Sequence, residues 1–306
     1  MYRVDYHSTP FLLAISLALS GCLADKSGPA SELFETKSGH ITITKTKVPD
    51  VTKESMGAVR FSSVALDIVE PSKIEGEGRS LPCNKAGFGG NGTVIAKGKL
   101  QTPGDTIELA ISGCKYRGVP ISGDLEVDLV SREGKNYVVN YRYKEFVFGD
   151  STDALTMNGE VTIDNSYDEQ TKRTVTARTT KNLELVQGTK SAKINEMWCA
   201  DSHIGPKGEG PYEIECTMIL TSSAIDGCVA LETSKKFQGT GNGNPTAGEL
   251  LITGAIETKT QIIAQPDGKH ALIKWDSDGD GLYEGQLLKK WDEMESDMLS
   301  WLTKVL

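Results

Sequence analysis

Apolar and polar residues alternate one by one along most of this chain, and this alternation restricts the possible folds more than any other feature. Side chains of a β-strand point to opposite faces in turn, so each alternating segment has one apolar face and one polar face. This pattern is typical of antiparallel sheets with one solvated face, whereas buried parallel strands have continuous apolar runs. About thirteen segments fit the pattern. The clearest cover residues 64–68, 107–111, 125–129, 137–143 and 212–220.

Glycine is the second feature that shapes the expected fold, because the chain contains 32 glycines. Four of them, Gly92, Gly123, Gly159 and Gly248, each open an alternating segment. Glycine turns precede strands in many β proteins, and the uneven spacing of these four does not fit a solenoid repeat. The sequence therefore predicts a mainly β fold, an antiparallel meander that forms a twisted sheet, a sandwich or a half-barrel.

Residues 285–306 depart from the alternation. Apolar residues recur there at intervals of three and four, which is the spacing of one helix face. Because the remaining positions are more acidic than basic, a helix lying on anionic lipid is disfavoured. We expect one C-terminal amphipathic helix that packs on the sheet, rather than one that binds a partner. Its apolar positions are Leu287, Trp291, Met294, Met298, Trp301 and Val305.

The first residues of the chain have the pattern of an export signal. A polar stretch over residues 1–10 precedes an apolar run over residues 11–19, and Ser20, Gly21 and Cys22 follow. The apolar run has about half of the roughly 20 residues that a membrane-spanning helix needs. We therefore interpret residues 1–21 as a signal peptide and not as an anchor helix.

The end of this signal, Leu19-Ser20-Gly21-Cys22, resembles the lipobox of bacterial lipoproteins. The resemblance implies that the Cys22 thiol receives a diacylglycerol group and that the chain is cut just before it, so that lipid on Cys22 holds the protein on a membrane. In such lipoproteins an aspartate after the cysteine favours the inner membrane, and this chain has Leu23 there. The resemblance thus implies a lipid anchor in the outer membrane, facing the periplasm or the cell surface.

Composition divides the rest of the chain. Residues 22–38 are mostly small and polar and cannot bury enough apolar surface to become ordered, so we expect a flexible tether. Residues 39–284 carry the alternation and form the β-rich body, as one large domain or two small ones. The net charge of −9 excludes a broad electrostatic contact with nucleic acid.

Five cysteines remain when Cys22 is set aside, and an oxidising exported compartment favours their pairing. Cys83 and Cys114 lie far from the others and are a natural first pair. Cys199 and Cys216 flank a turn-rich segment almost symmetrically, so a hairpin would bring them together. Cys228 is then left over, or competes for one of those two partners, because connectivity cannot be read from sequence.

The sharpest chemical signal is the acidic, glycine-containing segment at residues 276–284. Alternate carboxylates at Asp276, Asp278 and Asp280 can point at one hard cation. The carbonyl of Leu282 can add an oxygen ligand, and Glu284 can close the shell directly or through water. The spacing therefore predicts a calcium site between a strand at residues 271–275 and the expected C-terminal helix.

This segment resembles the calcium loops of EF-hand, dockerin and thrombospondin type 3 proteins, over residues 276–284 only. An EF-hand also needs a bidentate glutamate at its twelfth position, which is Leu287 here. The resemblance therefore implies a structural calcium ion rather than a regulatory switch. An acidic turn without an ion is the alternative, since Asp and Gly are ordinary turn residues.

Signatures of catalysis are weak. The chain has no H-E-x-x-H, C-x-x-C or G-x-S-x-G motif. Residues 87–92 match G-x-G-x-x-G, but a strand pattern follows where a dinucleotide site needs a helix. We nominate no catalytic residue. The expected function is that of a non-enzymatic lipoprotein of the cell envelope with a binding or structural role towards a protein, glycan or lipid partner. The alternative is a carrier that encloses lipid or another apolar ligand.

Overall fold

The computed structural model describes residues 39–63, 75–296 and 298–299. Cys22, the expected signal peptide, the expected tether and the alternating segment at residues 64–68 lie outside the described residues. One α-helix and fourteen strands make up most of the described part of the chain. They are α1 (Val48–Ser63), β1 (Glu75–Pro82), β2 (Thr93–Lys99), β3 (Thr106–Tyr116), β4 (Val119–Glu133), β5 (Asn136–Phe148), β6 (Leu155–Asp168), β7 (Arg173–Gln187), β8 (Lys190–Ile204), β9 (Pro211–Ser222), β10 (Gly227–Thr240), β11 (Ala247–Thr253), β12 (Lys259–Ala264), β13 (His270–Asp276) and β14 (Gly285–Lys290).

The strands form one sheet in which spatial order equals chain order, from β1 to β14. Every neighbouring pair is antiparallel, for example β7 with β8 and β12 with β13. Short connections make each strand pair with the next, because antiparallel strands can be joined by tight turns. The prediction of a mainly β fold built from an antiparallel meander is confirmed.

One face of the sheet, here called the buried face, holds the core. Val127, Tyr141 and Val161 lie on it and have no exposed surface. Aromatic rings meet edge to face on β5, where the ring centres of Phe146 and Phe148 are 5.2 Å apart. The opposite face, the outer face, is mostly polar, as the alternation predicts. The alternating residues of the sequence therefore become one continuous core.

Gly92 and Gly248 lie at the start of β2 and β11, but Gly123 and Gly159 lie inside β4 and β6, so the expectation that each opens a strand is wrong for these two. All four share a role that the sequence did not reveal. A methyl group on Gly159 would lie 2.2 Å from the carbonyl oxygen of Asn182 in the neighbouring strand. The corresponding distance to the nearest backbone atom is 2.4 Å at Gly123, 2.0 Å at Gly92 and 2.5 Å at Gly248. Three of the four have φ between 116° and 126°, a region that other residues avoid. These glycines let adjacent backbones approach closely.

Three of these close approaches coincide with shifts in strand register. The shifts lie at Gly123 between β4 and β5, at Gly159 between β6 and β7, and beside Gly248 between β10 and β11. An extra residue on one strand bends that strand and increases its twist. The sheet can therefore remain continuous over long strands while it curves.

The helix α1 packs against β8, β9 and β12. The sequence analysis did not predict it, because it contains Val, Thr, Ser and Gly, which are weak helix formers. Burial on most of its sides compensates for this weak propensity. Its Glu54 carboxylate accepts hydrogen bonds of 2.7 Å from the hydroxyls of Ser222 and Ser296.

Within the described residues, no helix has the length and apolar content needed to span a membrane.

Residues 39–43, which precede α1, connect two distant parts of the sheet. The backbone N–H of Ile41 donates to the carbonyl of Cys228 at the start of β10. The Ile41 carbonyl accepts from the N–H of Ala255, which follows β11. The N–H of Ile43 donates to the Thr258 hydroxyl at 3.0 Å. This segment therefore ties the first described residues to the last third of the sheet.

An ion pair lies on the buried face of the sheet. Arg178 on β7 is 2% exposed, and its guanidinium donates a short hydrogen bond to the carboxylate of Asp201 on β8. It also donates to the carbonyl of Thr176 at 3.5 Å. Asp201 is itself buried. Each charge therefore depends on the other for compensation, since little water reaches either of them.

The expectation of a helix over residues 285–306 is wrong for residues 285–296. Residues Gly285–Lys290 form β14, and Trp291–Met294 form one short 3-10 turn. Leu287 pairs with Ile273 and Leu288 with Leu272 of β13. Hydrogen bonding to an existing sheet edge thus decides the conformation, and the three-and-four spacing of apolar residues does not. Residues 297 and 300–306 lie outside the described residues.

Two disulfides form in the described part of the chain, Cys83–Cys114 and Cys199–Cys216. The second joins residues directly opposite each other on β8 and β9. Cys228 is buried and takes part in neither disulfide. The prediction of disulfides is confirmed.

Candidate metal site

The acidic loop at residues 276–284 connects β13 to β14. It is therefore a hairpin loop between two strands, and not the connection to a helix that the sequence led us to expect. Gly285 opens β14 opposite Trp275, and a methyl group at this position would lie 2.0 Å from the indole ring. Glycine at position 285 thus lets the hairpin close over that ring.

Asp276 is the buried anchor of the loop, with 1% of its surface exposed. Its two carboxylate oxygens accept hydrogen bonds from the backbone N–H groups of Gly279 at 2.7 Å and Gly281 at 2.9 Å. Both glycines have positive φ, at 77° and 87°, which bends the loop back towards the carboxylate. The loop is therefore folded around Asp276.

Glu284 closes the loop from its other end. Both of its carboxylate oxygens accept from the N–H of Ser277 at 2.9 Å, and one accepts from the N–H of Asp278 at 3.2 Å. The hydrogen bond from Ser277 is the main reason why the pKa of Glu284 lies below its ordinary value. The carboxylate therefore stays ionised, which is the state that binds a cation.

Asp276, Asp278 and Glu284 each offer a carboxylate oxygen, and these oxygens lie within 4.8 Å of one another. Oxygens that bind one Ca²⁺ at about 2.4 Å can be up to about 4.8 Å apart, so the spacing suits this ion. The carboxylate of Asp280, a further expected ligand, is not part of this group. It accepts instead from the backbone N–H of Leu282 at 2.7 Å.

The loop rests on the connection between β11 and β12, which the sequence analysis did not associate with it. A methyl group on Gly279 would lie 2.1 Å from the carbonyl oxygen of Ile256. Ile256 and Glu257 both have positive φ, 54° and 60°, which is strained for these residue types. Only a turn pattern around residue 256 could have indicated this contact. The sequence offers Gly254 there, but it has Ile and Glu at the two positions with positive φ.

The described surface also has two clefts. The first, of about 340 Å³, includes Arg173, His203 and Glu213 among its lining residues. Arg173 already donates to Glu213 and, at 2.7 Å, to Ser202, and burial lowers the pKa of His203. The second, of about 670 Å³, is lined mainly by outer-face residues of β2 to β5, including Arg142. Arg142 is paired with carboxylates of β4. These contacts assign no catalytic role.

The acidic hairpin loop is therefore the best-defined candidate site in the described residues, and a hard divalent cation is the ligand that its oxygen atoms fit. No protein-family model, curated protein or solved structure matches this chain.

Proposed function

We propose that this protein is a lipid-anchored lipoprotein of the outer membrane, held by lipid on Cys22, which binds a partner or supports the cell envelope without catalysis. The observation that carries the proposal is the lipobox-like sequence Leu19-Ser20-Gly21-Cys22 at the end of an apolar run. The small polar tether that follows would separate the β-rich body from the membrane surface.

The packing of the body favours binding at its surface over an enclosed ligand. The buried face is filled by its own side chains, and Phe61 of α1 is among the fully buried ones. A carrier of lipid would need an apolar cavity large enough for an acyl chain. Native mass spectrometry of the gently purified protein separates the two functions. The proposed function requires the mass of the lipidated chain alone, and a retained second lipid would favour the carrier.

Replacing Cys22 by alanine is expected to release the protein from the membrane fraction, because the thiol that accepts the lipid is lost. The measurement is fractionation of cells together with incorporation of labelled palmitate. Cys228→Ala is the control, since it removes a buried thiol and leaves the N-terminus intact, and it should keep both the label and the membrane association. A Cys22→Ala protein that stays on the membrane contradicts the anchor.

We further propose that the acidic hairpin loop holds a structural calcium ion through Asp276, Asp278 and Glu284. The ion would neutralise three carboxylates that otherwise repel one another within 4.8 Å. It would also hold the hairpin against the strained turn at Ile256. Water can complete the shell, because Asp278 and Glu284 are exposed.

Calcium at 10 mM is expected to stabilise the protein by about 1 to 3 kcal/mol relative to EDTA, given a dissociation constant of about 10⁻⁴ to 10⁻³ M. The midpoint of thermal unfolding should rise by roughly 3 to 10 °C. Asp278→Asn keeps the shape of the side chain and removes its charge, so it should abolish most of this shift. Asp267→Asn, in the neighbouring hairpin, should retain the shift. An equal shift in both variants, or no shift in the parent protein, would contradict the calcium site and identify the loop as an ordinary acidic turn.

A further inference from the structure

The last strand of the sheet, β14, has an open edge. Among the described strands it pairs only with β13. The N–H of Trp291 donates to the carbonyl of Lys269, one position beyond the pairing of Lys290 with His270. Main-chain groups of an antiparallel strand point to alternate sides. Those of Leu287 therefore point towards β13, and those of Leu288 and Lys290 point away from the sheet.

Apolar side chains remain exposed on both faces of this edge. Leu287 is 43% exposed and Leu288 is 55% exposed. Leu287 lies opposite the buried Ile273, so it extends the buried face to the rim of the sheet. An open edge with exposed apolar residues is a template for a further strand.

The other edge of the sheet, β1, is less suited to such pairing. Its register with β2 shifts between Glu77 and Ser80, and it ends in Pro82, which has no N–H to donate. Bulges and proline are common means by which proteins block an edge strand. β14 has no proline and pairs with β13 without a register shift, so of the two edges in the described sheet it is the better suited to pairing.

We propose that β14 pairs with β14 of a second copy of this chain, antiparallel, with Leu287 on the two-fold axis. In this register Gln286 lies opposite Leu288 of the second copy, and Lys290 lies opposite Glu284. Lys290 and Glu284 are both exposed and carry opposite charges. The four carboxylates of the acidic loop exceed the two charges of one calcium ion, so the loop attracts Lys290 also when the proposed ion is bound. Two-fold symmetry makes each such pair occur twice, as in most homodimers. The acidic loop of each copy thereby offsets the positive charge of Lys290 in the other copy.

Charge complementarity selects this register over its neighbour. With Leu288 on the axis instead, Lys290 would lie opposite Gln286, and Leu287 would lie opposite Lys289. That arrangement places a lysine against a leucine and leaves the carboxylate of Glu284 without the lysine. The pairing also covers Leu287, because the added strand continues the buried face beyond the present rim.

Cysteine crosslinking in the full-length chain tests the pairing and its register. Residues opposite each other at a non-hydrogen-bonded position have Cα atoms about 4.5 Å apart, within reach of a disulfide. Leu287→Cys should therefore form a covalent dimer on mild oxidation. In the same register the two copies of residue 288 are roughly 8 to 9 Å apart, too far for a disulfide. Leu288→Cys should give several-fold less dimer.

Val130→Cys measures random collision, because Val130 is 50% exposed and lies on β4, far along the sheet from β14. Its dimer yield should match that of Leu288→Cys. Dimers from Leu288→Cys in preference to Leu287→Cys would overturn the register. Equal yields at all three positions would overturn the pairing, and residues 300–306 of the same chain would then be the first alternative occupant of this edge.

A proline gives an independent measurement. The N–H of Leu288 points away from β13, so Leu288→Pro removes a donor that only an added strand would use. Sedimentation should show that the parent protein is dimeric and that Leu288→Pro is monomeric, with the circular dichroism spectrum unchanged. A Leu288→Pro protein that is folded and still dimeric would contradict the proposal, as would a monomeric parent.

Discussion

Arg178→Ala is expected to lower the free energy of unfolding by about 3 to 5 kcal/mol, because it leaves the carboxylate of Asp201 buried and uncompensated. Removing one partner of a buried ion pair lowers stability by more than the pair contributes, since the remaining charge is buried away from water and has no opposite charge beside it. Equilibrium unfolding in urea measures the change, provided that both disulfides stay intact and the slope of the transition is unchanged.

The double variant Arg178→Met/Asp201→Leu separates this explanation from a simple loss of packing. With both charges removed and their volume roughly kept, stability should return to within about 1 to 2 kcal/mol of the parent or exceed it. Arg142→Ala is the exposed control. Its side chain pairs with carboxylates on the outer face, so its loss should cost less than about 1 kcal/mol. An Arg178→Ala loss as small as that of Arg142→Ala would contradict a buried pair in which each charge depends on the other.

Gly159→Ala is the second substitution with a large expected effect, a loss of about 2 to 6 kcal/mol. Its φ of 126° is strained for any residue with a Cβ atom, and that atom would lie 2.2 Å from the Asn182 oxygen. Strain and overpacking each cost roughly 1 to 3 kcal/mol. The same unfolding experiment measures the loss.

Gly188→Ala provides a matched control for this loss. Gly188 has a φ of 58°, but nothing lies within 4 Å of the position where a methyl group would stand. Only the backbone strain applies, about 1 to 2 kcal/mol. If both variants lose the same stability, the close approach of the strands at Gly159 contributes nothing, and the positive φ alone accounts for the loss.

Much of the sheet could be predicted from the sequence, because a period of two maps directly onto the two faces of a strand. The segments around Leu109, Val127, Tyr141 and Met218 all became strands with these residues buried. Contacts between residues that are distant along the chain could not be predicted. The role of Gly159 depends on a backbone that lies more than twenty residues away in the chain, and no local pattern encodes that approach.

The two errors about helices have one physical cause. Residues 285–290 have helical spacing but lie beside the free edge of β13, and pairing with that edge satisfies their backbone groups. Residues of α1 have weak helical propensity but are enclosed by the sheet and by the segment around Ser296. In both cases tertiary surroundings outweigh local preference.

The candidate metal site was partly predictable. The alternating carboxylates correctly located the acidic cluster of Asp276, Asp278 and Glu284. The sequence could not show that Asp280 would bond its own loop backbone instead of joining the cluster. It also could not show that the loop rests on Ile256, because that contact joins two hairpins.

The connection of residues 39–43 and α1 to the far end of the sheet has a consequence for the order of folding. Ile43, Glu54 and their partners are separated by 215, 168 and 242 residues along the chain. Each strand of the meander can pair with its predecessor as soon as both have emerged, but α1 emerges first and finds its partners last. The helix α1 therefore stays without these partners until β9, β12 and Ser296 have emerged. Completion of the C-terminal strands is then the event that buries the beginning of the body.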